Sequence, residues 1–440
     1  MPRVGPDLSC LRGKRVLIAL SGGADSVALT AMLAEARPAL GLTLFAAHLD
    51  HGIRPESAGD AAWCRALCEG LNIPFYARRV DVPALAAESG EGLETVARRL
   101  RHDWLRQLRA ELGADCVALA HHLDDQAETV LMHLCRGAGP EGITGMAAVS
   151  GTLVRPLLSL RKRELIDYLN RRGLSWREDA TNAVADNPRN ALRLRAIPEL
   201  EKIYPSFAVA AARYAQSARI ESDYVAEQAR QWLYERLSEG PFGQYLSLKP
   251  PAPPALLRRA IRALCGEDLG WDKLNAVAAL AEAERGVCQV NGLLTVERGH
   301  RGLYFLRKAA TAMPEAPLVM NGKTRLPGLC EIEAEDAAPV PVRDDAMRQV
   351  LDAGALCGAV LRTRRPGDRI RPLGCGDKLL SDYLTDKKVD RPLRDCIPLV
   401  AAGNRVLWAC GLGIAAEAAL TAGTARAVAL RCKTEYDIRL

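Results

Sequence analysis

The stretch from Arg15 to Arg37, RVLIALSGGADSVALTAMLAEAR, constrains this chain more than any other. Arg15–Leu20 is a short apolar, β-branched run and predicts a buried strand. Ser21-Gly22-Gly23-Ala24-Asp25-Ser26 reads as a tight loop, and Val27–Arg37 carries apolar residues at helical spacing. Strand, glycine loop and helix in that order aim unpaired backbone N–H groups and a positive helix end at a phosphate. Gly22 and Gly23 suit a backbone that adopts unusual dihedrals and approaches a ligand closely. Ser21 and Ser26 add hydroxyl donors. Asp25 is the odd member, because a carboxylate beside phosphates is repelled unless a cation, Mg²⁺ by preference, lies between them. Without a ligand the same loop is an ordinary βα turn in which Asp25 or Ser26 caps the helix. The string lacks the GK[ST] ending of a Walker loop, which argues against transfer of a γ-phosphate.

The full string SGGADS after a hydrophobic strand resembles the pyrophosphate loop, SGGxDS, of the N-type ATP pyrophosphatases. The resemblance implies an adenine nucleotide alpha-hydrolase-like fold and attack of a substrate on the α-phosphate of ATP. Ser21, Gly22, Gly23, Ala24, Asp25 and Ser26 would then hold the leaving pyrophosphate, with Asp25 also placing Mg²⁺.

At 440 residues the chain exceeds one core, so two or three domains are expected. No apolar run reaches the ~20 residues of a membrane span, and MPRVGPDLSC has no hydrophobic region of the kind a signal peptide carries. The 13 cysteines are scattered with no CxxC pair, which fits a reducing cytoplasm better than a disulfide framework. The net charge is only +6, so local clusters of charge matter more than the total.

Further strands are expected at Leu42–His48, Ile73–Val80 and Asp115–His121, with helices at about 58–70, 91–112 and from Asp124. Strands alternating with helices predict an α/β N-terminal domain, a parallel twisted sheet covered on both faces. Ligands of such sheets lie beyond the carboxyl ends of the strands, where Ser21–Ser26, Asp50–Arg54 and His121–Glu128 all fall. In HHLDDQAET, Asp124 and Asp125 stand four and three residues before Glu128 and share a helix face with it. Acidic residues there can simply cap the helix, or they can hold Mg²⁺ or an ammonium group. His121 is placed to contact a phosphate or move a proton. Arg98 and Arg101 lie three apart on the expected long helix, facing either solvent or the crevice and RNA phosphates. Arg155–Arg177 holds seven arginines and lysines against Glu164 and Asp167, a pattern equally suited to a solvated helix or a phosphate-backbone footprint.

Long helices are expected from Ile197 to about Ser238, a proline-rich break at Leu246–Pro254, and a small α+β domain of two helices and three strands up to Lys308. Beyond the linker Ala309–Leu318 the chain is strand-rich, with a basic run from Arg362 to Arg371. The expected domains are therefore 1–205 (catalytic), 206–250 (helical connector), 251–310 (accessory) and 318–440 (β-rich).

HLDHGIRPES, HHLDDQAET, and EDATN followed by RNALR and IPEL resemble, in order and spacing, the motif series of the tRNA(Ile)-lysidine synthases. RRPGDRIRPLG and KLLSDYLTDKKVDRPLRDCIPLV resemble the C-terminal tRNA-contacting domain of the longer members. The resemblance covers most of the chain, while 208–340 matches in length and texture only. It implies that ATP adenylates the wobble cytidine of the CAU-anticodon isoleucine tRNA and that free L-lysine displaces AMP to give lysidine. Asp25, Arg101, Asp125, Glu128 and Arg193 are the expected catalytic residues, and His48 and His121 join the glycine loop around the nucleotide. Arg101 or Arg193 would stabilise charge at the α-phosphate, and Asp125 and Glu128 would bind or deprotonate the lysine ammonium. The division of roles among Asp124, Asp125 and Glu128 stays open. A homodimer is an expectation from the family alone.

Three other readings compete. A tRNA thiolase shares the adenylation but needs cysteines, for which the chain offers Cys64 and Cys68 on one helix face and the isolated Cys116 and Cys135. A non-catalytic RNA-binding protein on an inherited ATPase fold would use the basic stretches. An amidotransferase-type adenylating enzyme acting on a small metabolite would leave the C-terminal basic run without a role.

Overall fold

Strand β1 (Arg15–Ala19) lies at the centre of a six-stranded sheet, because its side chains are buried on both faces. Val16 and Ile18 point into one apolar cluster and Leu17 into another, and the same alternation recurs at Leu44/Phe45/Ala46/Ala47 and Cys116/Val117/Ala118. Burial on two sides is what a parallel sheet between helical layers demands. The computed structural model describes residues 6–52, 57–177, 187–240, 243–266, 268–307, 315–342 and 345–435, and divides into two compact units, 1–223 and 224–440.

In the first unit β1 is followed by α1 (Ala24–Leu40), β2 (Thr43–Asp50), α2 (Ser57–Gly70), β3 (Phe75–Arg79), α3 (Val82–Ser89), α4 (Leu93–Glu111), β4 (Cys116–Ala118) and α5 (Leu123–Cys135). The hairpin β5 (Val149–Ser150) and β6 (Leu153–Val154) comes next, then α6 (Lys162–Arg172), α7 (Pro188–Ala191), α8 (Ile197–Ile203) and the first part of α9 (Phe207–Arg236), whose end belongs to the second unit. The order across the sheet is β3-β2-β1-β4-β6-β5, parallel except for the last pair. Helices α1, α2 and α6 cover one face through Val27, Leu33, Cys64, Cys68, Leu165 and Leu169. Helix α4 covers the other face through Leu105 and Leu108. Successive strands run from β1 through β2 to β3 on one side, and β4 then crosses to the other side of β1. The carboxyl ends of β1 and β4 thus form the switch point at which open α/β sheets bind ligands.

The alternating layout agrees with the sequence pattern, and several boundaries differ. Helix α1 starts at Ala24 with Gly23 as its N-cap, so Asp25 and Ser26 belong to its first turn rather than to a loop. The helix expected over 91–112 is α4 alone, and a separate α3 precedes it, ended by Gly90 at φ +70°. Strand β4 keeps three of its seven expected residues, because the chain turns to place His121 and cap α5. The β5–β6 hairpin has no counterpart in the sequence reading, since two-residue strands carry no readable alternation.

In the second unit, strands Leu237–Gly240 and Gly243–Ser247 join Gly286–Gln289, Leu294–Arg298 and Gly302–Arg307 in an antiparallel sheet. Helices Pro254–Cys265 and Trp271–Ala279 contribute Leu257, Ile261, Leu274 and Val277 to its core. Leu246 pairs with Leu303, so the proline-rich break begins after that strand. The remainder, 316–434, forms two strand-rich layers around Trp408, Ile332, Leu361 and Leu430.

The basic run of this unit is tied up in ion pairs. Arg362 is buried, with Nη1 and Nη2 each 2.8 Å from the two carboxylate oxygens of buried Asp368. Arg364 pairs with Asp395, Arg365 with Glu315, and Arg369 with Asp377. Arg362 is therefore a core residue and not an RNA contact. Arg362→Met should leave Asp368 buried without its partner and lower the stability of this unit by about 3–5 kcal/mol. Denaturant unfolding followed at the buried Trp408 checks this.

Candidate active site

Four residues connect β1 to α1, and the turn they form is held by the Ser26 hydroxyl and by the backbone of Arg177. Gly22 adopts φ +92°, and a Cβ placed on it would approach Cys64 Sγ to 3.2 Å, so both conformation and packing require glycine. Its carbonyl accepts a 2.9 Å hydrogen bond from the N–H of Arg177. Arg177 in turn donates from Nε to Asp60 of α2 at 2.8 Å, strapping the loop from outside. Ser26 Oγ accepts from the N–H groups of Ser21 and Gly22, each at 3.2 Å, and donates to the Gly23 carbonyl at 2.9 Å. Ser21 Oγ lies 3.1 Å from Ser26 Oγ. The two hydroxyls thus shape the loop, and the donors left for an anion are the first-turn amides of α1, which have no intrahelical acceptor.

Asp25 projects from that first turn towards the start of α5. Its Oδ2 lies 3.7 Å from His122 Nε2 and 3.9 Å from Lys162 Nζ. Its Oδ1 is buried with no hydrogen-bond partner among the described residues. An orphaned carboxylate oxygen beside phosphate-directed amides fits Mg²⁺, which commonly takes one or two carboxylates and completes its shell with water and substrate phosphates. No group of three or more His, Cys, Asp or Glu suited to a metal occurs among the described residues, so Asp25 would be the protein's main contribution.

Helix α5 opens with a reciprocal cap. His122 donates its N–H to Asp125 Oδ2 at 3.0 Å, and Asp125 donates its N–H to His122 Nδ1 at 3.4 Å. Asp125 therefore caps α5 and also faces the site. Burial works against charge on His122, but the contact with Asp25 and the carboxylates of Asp125, Asp25 and Asp124 outweigh it and hold its pKa above the usual value. Burial likewise works against charge on Asp125, and His122, the His122 N–H and Arg189 outweigh it, holding its pKa below the usual carboxylate value. Asp124 turns elsewhere. It forms an ion pair with Arg161 and accepts a hydrogen bond from the Lys162 N–H at 2.7 Å, fastening α5 to the start of α6.

Glu128, one turn further, is 2% exposed and carries two guanidinium groups. Arg193 reaches it with Nε at 2.5 Å and Nη2 at 2.9 Å, and Arg189 with Nε at 2.8 Å. The same arginines meet Asp125 Oδ1 at 3.0 and 3.3 Å. Arg189 lies in α7 and Arg193 in the π-helical turn 192–196 that follows, four residues on. Four charges, two of each sign, form one closed knot.

His121 and Arg101 flank the knot. Burial, aided by Arg155, Arg189 and Arg101 and opposed by Asp125, pulls the His121 pKa down to about 4, and its Nδ1 is buried without a partner among the described residues. Arg101 of α4 is close enough for its charge to be felt at His121 and at His51. His48 behaves differently from the other expected residues. It is buried, with Nδ1 3.0 Å from the Leu20 carbonyl and 3.6 Å from Cys64 Sγ, so it supports the end of β1 from inside the core.

Of the residues singled out in the sequence, Asp25, Asp125, Glu128 and Arg193 converge with the glycine loop, and Arg101 and His121 border them. His122, Lys162, Arg177 and Arg189 were given no individual role at the site. Arg189 was readable from its i,i+4 spacing to Arg193 in RNALR. His122 was readable as the residue before a helix whose third position is Asp. The expected residues Ile53, Arg54 and Glu178–Asn182 lie outside the described residues. Cys64 and Cys68 are buried, and burial raises their thiols to about 12 and about 11, so neither is a ready thiolate. No helix among the described residues is long and apolar enough to cross a membrane.

Comparison with known proteins gives the family. Residues 6–200 match the family model described as a PP-loop domain, and 359–431 match that of the TilS substrate C-terminal domain. A tRNA(Ile)-lysidine synthase of Thermus thermophilus is 39% identical over 405 residues, covering 90% of this chain and 69% of that protein. The synthase of Symbiobacterium thermophilum is 36% identical over 437 residues, covering 91% and 90%. That of Geobacter sulfurreducens is 35% identical over 442 residues, covering 95% and 93%. With both family models matched and identity of this order along nearly the full length, the chain belongs to the tRNA(Ile)-lysidine synthase family.

Proposed function

We propose that this chain joins the ε-amine of free L-lysine to C2 of the wobble cytidine in the CAU-anticodon isoleucine tRNA, using ATP and releasing AMP and pyrophosphate. The product pairs with A in place of G, so the tRNA reads AUA instead of AUG. One observation carries the reading. An acidic pair, Asp125 and Glu128, adjoins a phosphate loop through the Asp25–His122 contact. The loop suits ATP, and the acidic pair suits an amine that arrives as an ammonium.

The first step forms a bond from the cytidine O2 to the α-phosphorus and breaks the bond to pyrophosphate. The amides of the first turn of α1 hold the leaving group, and Asp25 presents the oxygen that would hold Mg²⁺. When bound, that cation neutralises charge on the pyrophosphate. His121 is neutral at pH 7 because its pKa lies near 4, so it can hydrogen-bond to the nucleotide without adding charge. The second step forms the bond from lysine Nε to C2 and breaks the C2–O2 bond, and AMP departs with the oxygen.

Lysine must first find the acidic pair, which two arginines already satisfy. Its ammonium exchanges with one guanidinium, and Arg193 is then released towards the charge growing on the α-phosphate. The free ε-amine has a pKa near ~10.4, so about one molecule in a thousand is deprotonated at neutral pH and the proton must be taken up as the bond forms.

Labelled lysine should enter a CAU-anticodon isoleucine transcript in the presence of ATP and stay out of initiator methionine tRNA, and Asp25→Asn should abolish it. AMP release without lysine incorporation would sink the proposal and point to another nucleophile. Asp125→Asn and Glu128→Gln should each raise KM for lysine about 10- to 100-fold, the effect of losing one charge-assisted contact, with KM for ATP little changed. Steady-state kinetics separates the two. The His121 ring should titrate near pH 4. Its folded pKa lies below the unfolded value of ~6.5, so the unfolded chain binds more protons and stability falls as the pH drops between those values. The full loss is about 3 kcal/mol, and His121→Asn should remove that slope from a pH series of unfolding curves.

A further inference from the structure

Lys162, the first residue of α6, reaches the glycine loop. Its Nζ lies 3.9 Å from Asp25 Oδ2, the oxygen that also faces His122 Nε2 at 3.7 Å. That separation is too long for a hydrogen bond, and the Lys162 side chain is 47% exposed. Arg161, Arg177, Arg189 and Arg193 are each paired with a carboxylate at 2.8 Å or closer. Among the described residues Lys162 has no carboxylate so near. The lysines of the first unit are Lys14, Lys162 and Lys202. Lys14 precedes β1, at the end of the strand away from the crevice, and Lys202 pairs with Glu199 of α8.

The root of this side chain is fixed while its head is free to move. The Lys162 N–H donates to Asp124 Oδ2 at 2.7 Å, and the Leu123 N–H donates to the Leu160 carbonyl at 2.8 Å, so α5 holds the start of α6 by its backbone. The Arg161 N–H donates to Glu164 Oε2 at 2.7 Å, which closes the first turn of α6. Leu165 and Leu169 then pack into one cluster with Val27 and Leu33 of α1, the helix that carries Asp25. The backbone at Lys162 is therefore set relative to both the glycine loop and α5. A flexible four-carbon stem ending in a compact charge lets the ammonium move over several ångströms from that fixed point.

A nucleoside triphosphate brings several negative charges to a turn that already carries the Asp25 carboxylate, and the positive end of α1 offsets only part of them. The two oxygens of Asp25 are not equivalent. Oδ1 is buried without a partner among the described residues and suits Mg²⁺, whereas Oδ2 faces His122 and Lys162. Lys162 can thus turn from Oδ2 to a phosphate and leave the metal oxygen undisturbed. We propose that Lys162 is a phosphate-binding residue whose ammonium leaves Asp25 Oδ2 to hold the pyrophosphate part of ATP. The assignment rests on the ATP-using reaction proposed above. As the bond from the α-phosphorus to the bridging oxygen breaks, the electron pair stays with pyrophosphate, and the ammonium offsets the charge gained there. A backbone phosphate of the RNA has the same chemistry, but the contact with Asp25 and the adjoining amides of α1 favour ATP's own.

The test uses Lys162→Met in the full chain, with Lys162→Arg as the charge-preserving control. Calorimetric titration with α,β-methylene ATP and Mg²⁺ reads binding without turnover. Lys162→Met should raise Kd for this analogue about 10- to 100-fold, the effect of losing one charge-assisted contact. Lys162→Arg should restore most of the affinity. Kd for AMP, which has no pyrophosphate, should stay unchanged in both variants, as should KM for lysine. Equal affinity of Lys162→Met and the wild type for the analogue would overturn the assignment, and so would an equal loss of affinity for AMP. A slope of log tRNA affinity against log salt reduced by about 1, with nucleotide affinity intact, would give the ammonium to the RNA instead. Absent lysine incorporation in the wild type would defeat the functional reading, while the analogue titration would still decide the role of Lys162.

Discussion

The closed knot of Asp125, Glu128, Arg189 and Arg193 is the interaction on which the rest of the site depends. Glu128 is 2% exposed, and an ionised carboxylate at that depth persists only with cations and hydrogen bonds around it. The two arginines supply both, and so bring α7 and the π-helical turn onto α5. Asp125 does double duty, since its backbone and side chain also cap α5 against His122, and His122 reaches Asp25 of the glycine loop. A continuous polar path therefore runs from the segment carrying Arg193 to the phosphate-binding turn. In the reaction proposed above, exchange of a guanidinium for an ammonium at one end would change the electrostatics felt at the other.

Much of this was legible in the sequence, and the reasons are local. The glycine loop is a strand-to-helix turn whose residues are all close in sequence, so its chemistry can be read from spacing alone. Asp125 and Glu128 share a face because residues three apart on a helix always do. What was not legible depended on partners distant in the chain. His48 looks like a nucleotide contact in HLDHGIRPES, yet it lies beneath Leu20 because β2 runs parallel to β1 in register Ala46 with Ile18. Asp124 and Asp125 are adjacent and chemically alike. Only the approach of Arg161 and Lys162 from the start of α6 separates a structural acid from a functional one.

Charge counting left a similar gap. The segment 155–177 suits a solvated helix and a phosphate-backbone footprint equally, and the run from Arg362 to Arg371 lies in the stretch that resembles a tRNA-contacting domain. In the first, Arg161, Arg172 and Arg177 meet acids contributed by α5, α8, α1 and α2, and Arg155 stands among other cations. In the second, Arg362 is part of the core with Asp368, and Arg364, Arg365 and Arg369 pair outward. Surface pairs of this kind contribute little to stability and exchange readily with a polyanion, whereas the buried Arg362–Asp368 pair does not. Local net charge therefore says where an anion could approach. Compensation by nearby carboxylates decides where it stays.

That distinction bears on the function proposed above, in which a polyanion, a nucleotide and an ammonium each need a different kind of charge. The first-turn amides of α1 suit phosphates. The Asp125–Glu128 pair would suit an ammonium, and in the structure Arg189 and Arg193 occupy it. Exposed pairs such as Arg364–Asp395 and Arg365–Glu315 would give a polyanion affinity that is broad and salt-sensitive, because each guanidinium can trade its carboxylate for a phosphate. A buried pair such as Arg362–Asp368 cannot make that trade without leaving a carboxylate uncompensated in the core.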